Sequence, residues 1–172
     1  YGLIGCNTDE TLERESSYLN LLLDQNVDGI IAAATSHRWK ALDQAFFKRL
    51  PLVFVDRYFE GIEDFPFVGV DNQQGAYMGT EHLIQCGYNR IGILAGFQRL
   101  STMRDRLAGF RSALNAYELP ISDNWIITSP LGVEEGYKAA EAILTQKDRP
   151  HALFINNNYL TLGTLLALQD LD

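Results

Sequence analysis

Residues 71–95, DNQQGAYMGTEHLIQCGYNRIGILA, decide the fold class, because they predict one helix followed directly by one buried strand. Asp71 can cap the start of this helix, and Gly87 suits its end, just after residue 85. The apolar run that follows predicts a strand over residues 90–95, covered on both faces as in a parallel sheet. The stretch is therefore typical of an α/β protein.

The same alternation of helix and strand extends in both directions from this unit. Apolar runs predict further strands at residues 1–6, 27–34, 51–55, 67–70, 125–128 and 151–155. Apolar residues at helical spacing predict helices at residues 11–25, 39–49, 104–117, 132–145 and 159–171. This order predicts βαβ units and mainly parallel sheets. We place a break into two lobes near residues 87–90, although no linker composition marks it.

The composition of the 172 residues disfavours several classes of function. No apolar run approaches the roughly 20 residues that a membrane-spanning helix needs. The net charge of −8 and the scattered Lys and Arg residues disfavour nucleic-acid binding by this chain itself. The two cysteines, Cys6 and Cys86, fit no metal or disulfide motif, so we expect reduced thiols and neither metal nor cofactor.

The sequence also lacks the catalytic motifs of common α/β enzymes. It contains no Walker A loop, no Gly-x-Gly-x-x-Gly after a strand, no His-Glu-x-x-His and no Gly-x-Ser-x-Gly elbow. We expect the three histidines, His37, His82 and His151, to be structural or solvated. An enzyme on a doubly wound sheet is therefore the weaker alternative, and we expect a binding protein.

Polar residues are concentrated where the predicted strands end, which is where open α/β sheets bind ligands. These ends carry hydroxyl, amide, carboxylate and guanidinium groups at Asn7, 34–36, 56–57, 71–72, 96–102, 129–131 and 156–158. Planar groups can grip two neighbouring hydroxyls at once. Arg106, Asp56 and residues 156–158 therefore suit a sugar or another polyol.

Several stretches together resemble the LacI/GalR family of bacterial transcriptional regulators along nearly the whole chain. They include VDGII at residues 27–31, PLVFVDR at 51–57, GYNRIG at 87–92 and RLAGF at 106–110, in the family's order and spacing. The resemblance implies two Rossmann-like lobes of the type I periplasmic-binding-protein fold, here residues 1–88 and 89–172. It also implies a small-molecule effector, a sugar or sugar derivative, in the cleft between the lobes, together with a homodimer and a cytoplasmic location.

Other parts of such a regulator are expected to lie outside this chain. In the family an N-terminal helix-turn-helix headpiece binds operator DNA as paired half-sites, and no headpiece is present in these residues. We expect both lobes to be incomplete, because the chain opens inside a predicted strand and ends in or just after a helix. A periplasmic sugar-binding protein of a transport system has the same fold and is the main alternative.

The resemblance implies effector-binding residues position by position. Arg106 matches the family's effector-gripping arginine, and Thr102 matches a pocket hydroxyl four residues earlier. Asp56 matches a strand-end carboxylate of the first lobe, although it could instead be solvated. Asn157 matches an asparagine that contacts sugar, and Leu131 matches a position that is often aromatic and stacks on the ligand.

Three positions depart from the family pattern. Asn158 replaces the usual Asp, which removes a charged acceptor. Leu100 stands where purine-responsive members place an arginine, so a purine effector is disfavoured. The missing aromatic ring at Leu131 weakens the expected stacking surface.

Overall fold

The computed structural model describes residues 2–35, 50–59 and 61–171. The chain divides into two compact units, Tyr1–Val70 and Asp71–Asp172, and each contains a three-stranded parallel sheet. The predicted α/β class, with parallel sheets flanked by helices, is confirmed. The predicted helix over residues 39–49 and the loop residue His37 lie outside the described residues.

The first unit contains helix α1 and a sheet in the order β1-β2-β3. Its elements are α1 (Leu12–Asp24), β1 (Ile30–Ala32), β2 (Leu52–Val55) and β3 (Phe67–Val68). Phe54 of β2 is fully buried, and its ring lies edge-to-face on Phe59 with the centroids 4.8 Å apart. Leu19 of α1 is buried in the same apolar cluster, so the helix covers one face of the sheet.

The predicted strand at residues 1–6 is wrong for the part that the structure describes, residues 2–6, which join no sheet. Leu3 is 97% exposed, although its apolar character suggested a buried position. A strand requires a neighbour for its N–H and C=O groups, and β1 is paired with β2 alone among the described strands. The apolar pattern of residues 1–6 supplies no such neighbour. The predicted strand at residues 27–34 forms only over Ile30–Ala32.

The second unit contains four helices and a sheet in the order β5-β4-β6. Its elements are α2 (Asn72–Gln85), β4 (Ile91–Gly96), α3 (Ser101–Ala116), β5 (Ile126–Ser129), α4 (Val133–Leu144), β6 (Ala152–Ile155) and α5 (Asn158–Leu171). β4 is central, and all six of its residues are buried, as the apolar run predicted. Among the described helices, none has the length and apolar character needed to cross a membrane.

The predicted ends of α2 are confirmed. The Asp71 carboxylate accepts a hydrogen bond from the Gln74 backbone N–H at 2.8 Å, which caps the start of the helix. Gly87 has a φ of 93°, a left-handed conformation that glycine adopts without steric cost, and it turns the chain after the helix.

The boundary between the two compact units lies between Val70 and Asp71. The physical reason is the close packing of α2 on α3. A Cβ atom at Gly109 of α3 would lie only 2.0 Å from the carbonyl oxygen of Gln73 in α2. α2 therefore belongs to the second unit, which begins with its capping residue. The lobe boundary after residue 88 stays a prediction.

Candidate functional site

Arg106 joins three elements of the second unit at the carboxyl end of β6. Its Nε donates a hydrogen bond to Asn72 Oδ1 at 2.7 Å, and its Nη1 donates to the backbone oxygen of Asn156 at 2.6 Å. Asn72 opens α2 and Asn156 directly follows β6, so the side chain crosses from α3 to both. Both acceptors are neutral, and no ion pair among the described residues includes Arg106. No carboxylate among the described residues therefore pairs with the partly buried guanidinium.

Asn156 lies beside Arg106 and is only 4% exposed. Its Oδ1 accepts a hydrogen bond from the Gly96 backbone N–H at 3.2 Å, which links the ends of β6 and β4. Because a backbone N–H can only donate, this bond identifies the oxygen of the carboxamide. The other atom, Nδ2, is buried and has no hydrogen-bond partner among the described residues. A buried donor left unpaired costs about 1–3 kcal/mol, so a bound group that accepts from it would be stabilised.

The first turn of α3 contributes Thr102 to the same location. Thr102 is 3% exposed and precedes Arg106 by four residues, so the two side chains lie on one face of the helix. Leu100, at the N-cap, provides no side-chain hydrogen bond to the helix. The N-cap side chain therefore does not cap the positive end of the α3 dipole. Thr102 and Arg106 lie on one face of the helix near this end.

Asn157 and Leu131 complete the cluster in the second unit. Asn157 Oδ1 accepts hydrogen bonds from the backbone N–H groups of Tyr159 at 2.8 Å and Leu160 at 3.3 Å, so this side chain caps α5. Leu131 packs over the end of β4, where a Cβ atom on Gly96 would lie 2.6 Å from its Cδ2. Asn157 therefore has a structural role as a cap, while its Nδ2 makes no hydrogen bond to the described residues.

Asp56 lies in the first unit, directly after β2. Its backbone has a φ of 63°, and its carboxylate is 3.5 Å from Arg57 Nε and 56% exposed. Arg57 also pairs with Glu10, Nη2 to Oε1, at 2.6 Å. A cavity of about 350 Å³ within this unit is lined by Asp56 and Arg57 together with the polar residues Asn7 and Thr8. The structure thus places four of the five predicted site residues in the second unit and Asp56 at a cavity of the first.

Sequence reasoning missed Glu15, which is 7% exposed and lines the same cavity. Its Oε1 accepts a hydrogen bond from the Thr35 backbone N–H at 3.0 Å, a short distance after β1. Glu15 occurs three residues after Leu12 and four before Leu19, on the apolar stripe of α1. An acidic residue on an apolar stripe was the available signal for a buried, hydrogen-bonded carboxylate.

Among the described residues, no group of three or more His, Cys, Asp or Glu side chains is arranged to hold a metal ion. Cys6 is half-buried and Cys86 is exposed, and both are free thiols. The Cys86 sulfur lies 3.7 Å from His82 Nε2 across one helical turn. The Arg106 cluster offers hydrogen bonding by neutral and cationic side chains.

Comparison with known proteins identifies a family over nearly the whole chain. The family model described as periplasmic binding proteins and sugar binding domain of LacI family matches residues 2–171. The HTH-type transcriptional repressor PurR of Haemophilus influenzae (strain PittEE) is 32% identical over 175 residues, which cover 99% of this chain and 50% of that protein. The repressor of the same name from Pasteurella multocida (strain Pm70) is 33% identical, with 98% and 50% covered. The chain spans about half the length of these curated relatives.

Solved structures of regulators have the same fold. A protein assigned as a ribose operon repressor from Burkholderia thailandensis is 32% identical and superposes with a TM-score of 0.84, covering 99% of this chain and 63% of that chain. The transcription regulator CcpA of Lactococcus lactis is 26% identical, with a TM-score of 0.85 and coverage of 99% and 62%. The similarity therefore extends across both compact units.

Proposed function

We propose that this chain, which belongs to the family of periplasmic binding proteins and LacI-family sugar-binding domains, senses a small effector for a transcriptional regulator. The effector is a sugar or a sugar derivative, and it binds at the Arg106 cluster of the second unit. Asp56 is proposed as a further effector-binding residue on the basis of the family resemblance. The expectation that one effector contacts both units comes from the family resemblance and stays a prediction.

The observation that carries this proposal is the hydrogen bonding of Arg106. Two of its nitrogens are fixed by Asn72 and Asn156, which holds the planar guanidinium in one orientation. Its Nη2 makes no hydrogen bond to the described residues and can donate to a ligand. A preoriented guanidinium can grip neighbouring hydroxyl groups with little further loss of side-chain entropy.

The relatives favour a regulator over a transport protein or an enzyme. Curated repressors match 98–99% of the chain at 32–33% identity, although only half of each repressor is covered. Operator binding by a separate helix-turn-helix headpiece, a cytoplasmic location and the lack of catalysis are parts of the proposal. The net charge of −8 supports the proposal that the headpiece, and not this chain, contacts DNA, because DNA phosphates attract positively charged surfaces.

We further propose that the regulator is a homodimer, and an apolar stripe on α5 supports this. Tyr159, Leu162, Leu165 and Leu166 lie along one side of the helix, and each is 43–58% exposed. The opposite side of α5, which includes Leu160 and Ala167, is buried in the unit. Exposed apolar stripes of this kind are common at interfaces between identical subunits.

Effector binding would act on DNA affinity through a shift between two conformations. The effector must bind one conformation more tightly than the other, because equal affinity shifts nothing. Couplings of this type are typically about 1–3 kcal/mol, equivalent to a change of roughly 5- to 150-fold in operator affinity.

Isothermal titration of the whole gene product tests the proposal. A panel of pentoses, hexoses, their phosphate esters and nucleosides is titrated into the unsubstituted protein, into Arg106→Ala and into Arg111→Ala. Arg111 is the matched control, because it is exposed on the same helix and makes no side-chain hydrogen bond or ion pair to the described residues. Loss of one charge-assisted hydrogen bond costs about 1.5–3 kcal/mol, so Arg106→Ala should weaken binding by about 10- to 150-fold.

The outcomes separate the site from the ligand class. If a sugar binds, and if Arg106→Ala weakens this binding while Arg111→Ala does not, then both the proposed site and the proposed ligand class are supported. Binding that survives Arg106→Ala removes the effector from this cluster. Binding of nucleosides alone would contradict the sugar assignment, and steady turnover of any panel member would contradict the assignment as a non-enzyme.

A further inference from the structure

We infer that the effector carries an anionic group, a phosphate ester or a carboxylate, and that Asn156 and Arg106 hold this group at the start of α3. The inference rests on the proposed function and names the chemical class of its ligand. It assigns to Asn156 the contact that distinguishes an anionic sugar derivative from the neutral sugar.

The first argument is the balance of charge in the cluster. Arg106 is partly buried and bonded only to neutral oxygens. The nearby Asp71 carboxylate is committed to the cap of α2 through Gln74, and Asn158 contributes no charge at the start of α5. A partly buried cation without a paired carboxylate favours a ligand that supplies the negative charge.

The second argument is the unpaired donor of Asn156. Its Oδ1 is fixed by the Gly96 N–H, so Nδ2 cannot be exchanged for an acceptor by rotating the carboxamide. Nδ2 is buried and has no partner among the described residues, and the backbone oxygen of the same residue binds Arg106. This side chain can therefore only donate to a ligand, and a charged oxygen is the strongest acceptor for it.

The third argument is the direction of α3. The helix starts at Ser101 with no side-chain cap, and the face carrying Thr102 also carries Arg106. The positive end of a 16-residue helix thus lies on the same side as the guanidinium. An anion is stabilised by the positive end of the helix dipole at such a terminus, whereas a neutral hydroxyl gains much less.

Pairs of ligands that differ only in charge test this inference on the whole gene product. The probes are glucose, glucose 6-phosphate and glucuronate, then ribose and ribose 5-phosphate, and inorganic phosphate alone. The unsubstituted protein is expected to bind the anionic member of a pair at least about tenfold more tightly than its neutral parent. Comparison of the phosphate esters with glucuronate distinguishes a phosphate from a carboxylate as the anionic group of the effector.

Asn156→Asp tests the assigned residue, because it replaces the Nδ2 donor by a carboxylate oxygen of nearly the same size. The substitution should weaken binding of the anionic ligand by about 10- to 100-fold and so abolish the preference for the anion. The affinity for the neutral sugar should change much less. Asn124→Asp is the matched control, because it adds the same charge at an exposed position of the same unit. Asn156→Ser is a second variant, and circular dichroism verifies that each variant is folded.

Each outcome decides the inference. Equal or tighter binding of the neutral parent by the unsubstituted protein overturns it and leaves the proposed function intact, and this comparison needs no variant. A preference that persists in Asn156→Asp also overturns it. Binding of inorganic phosphate alone, lost in Asn156→Asp, supports the anion site and contradicts the sugar assignment. No binding of any probe contradicts both.

Discussion

Gly109→Ala is expected to destabilise the second unit, although alanine is the better helix former. The added Cβ would lie 2.0 Å from the Gln73 carbonyl oxygen and 3.0 Å from the Ala76 Cβ, so α2 and α3 would have to separate by about 1 Å. Overpacking costs about 1–3 kcal/mol, and a backbone carbonyl cannot rotate away, which places the cost near 3 kcal/mol. The higher helix propensity of alanine offsets about 1 kcal/mol of this cost, so the free energy of unfolding should fall by about 2 kcal/mol.

Gly75→Ala is the matched control on the facing helix. Gly75 lies within α2, and a Cβ there would have no atom within 4 Å. The same methyl group should therefore stabilise the protein by about 1 kcal/mol through helix propensity alone. Thermal unfolding followed by circular dichroism should show a melting temperature lower by about 4–8 °C for Gly109→Ala and higher by about 2–4 °C for Gly75→Ala. Equal increases for the two variants would refute the close approach of α2 and α3.

Two other substitutions test the dimer and the core of the second unit. Leu165→Glu in the α5 stripe should convert the dimer to monomer, because the substitution buries a charge in an apolar interface. Asn115→Glu, at an exposed position of α3, should leave the dimer intact. Sedimentation velocity measures both variants, and a Leu165→Glu protein that remains dimeric would place the interface elsewhere. Trp125→Phe removes the bond from Nε1 to the Asp148 carbonyl oxygen at 2.7 Å and weakens the cation–π contact with Arg90, whose Cζ lies 4.7 Å from the ring centroid. Urea unfolding should show a loss of about 1–2 kcal/mol, and an unchanged midpoint would mean that neither contact stabilises the fold.

The sequence predicted those elements whose signals are local. The buried strand β4 follows from an uninterrupted apolar run, and the ends of α2 follow from Asp71 and Gly87. Caps and apolar periodicity depend on neighbours within a few residues, which is why a single sequence contains them.

Features that depend on tertiary contacts were not predictable in this way. Residues 1–6 have the apolar pattern of a strand, but pairing depends on a neighbour that no local pattern specifies. The packing of α2 on α3 was not predicted, because it depends on Gly109, 24 residues beyond the end of α2 at Gln85. The carboxamide of Asn156 was visible only as part of an asparagine run. Its nitrogen is identified as the unpaired atom only because the structure shows that the carboxamide oxygen accepts from Gly96 N–H.

The packing of α2 on α3 also sets the geometry of the proposed site. Arg106 and Gly109 are three residues apart on α3, so the same side of the helix that admits the Gln73 carbonyl carries the guanidinium toward Asn72. A separation of about 1 Å would lengthen the 2.7 Å bond between Arg106 and Asn72 to about 3.7 Å, beyond hydrogen-bond range. The guanidinium would then lose one of its two fixed contacts, and its orientation with it. A glycine that contacts no ligand therefore determines how well the cluster is preorganised, and Gly109→Ala should weaken effector binding as well as folding.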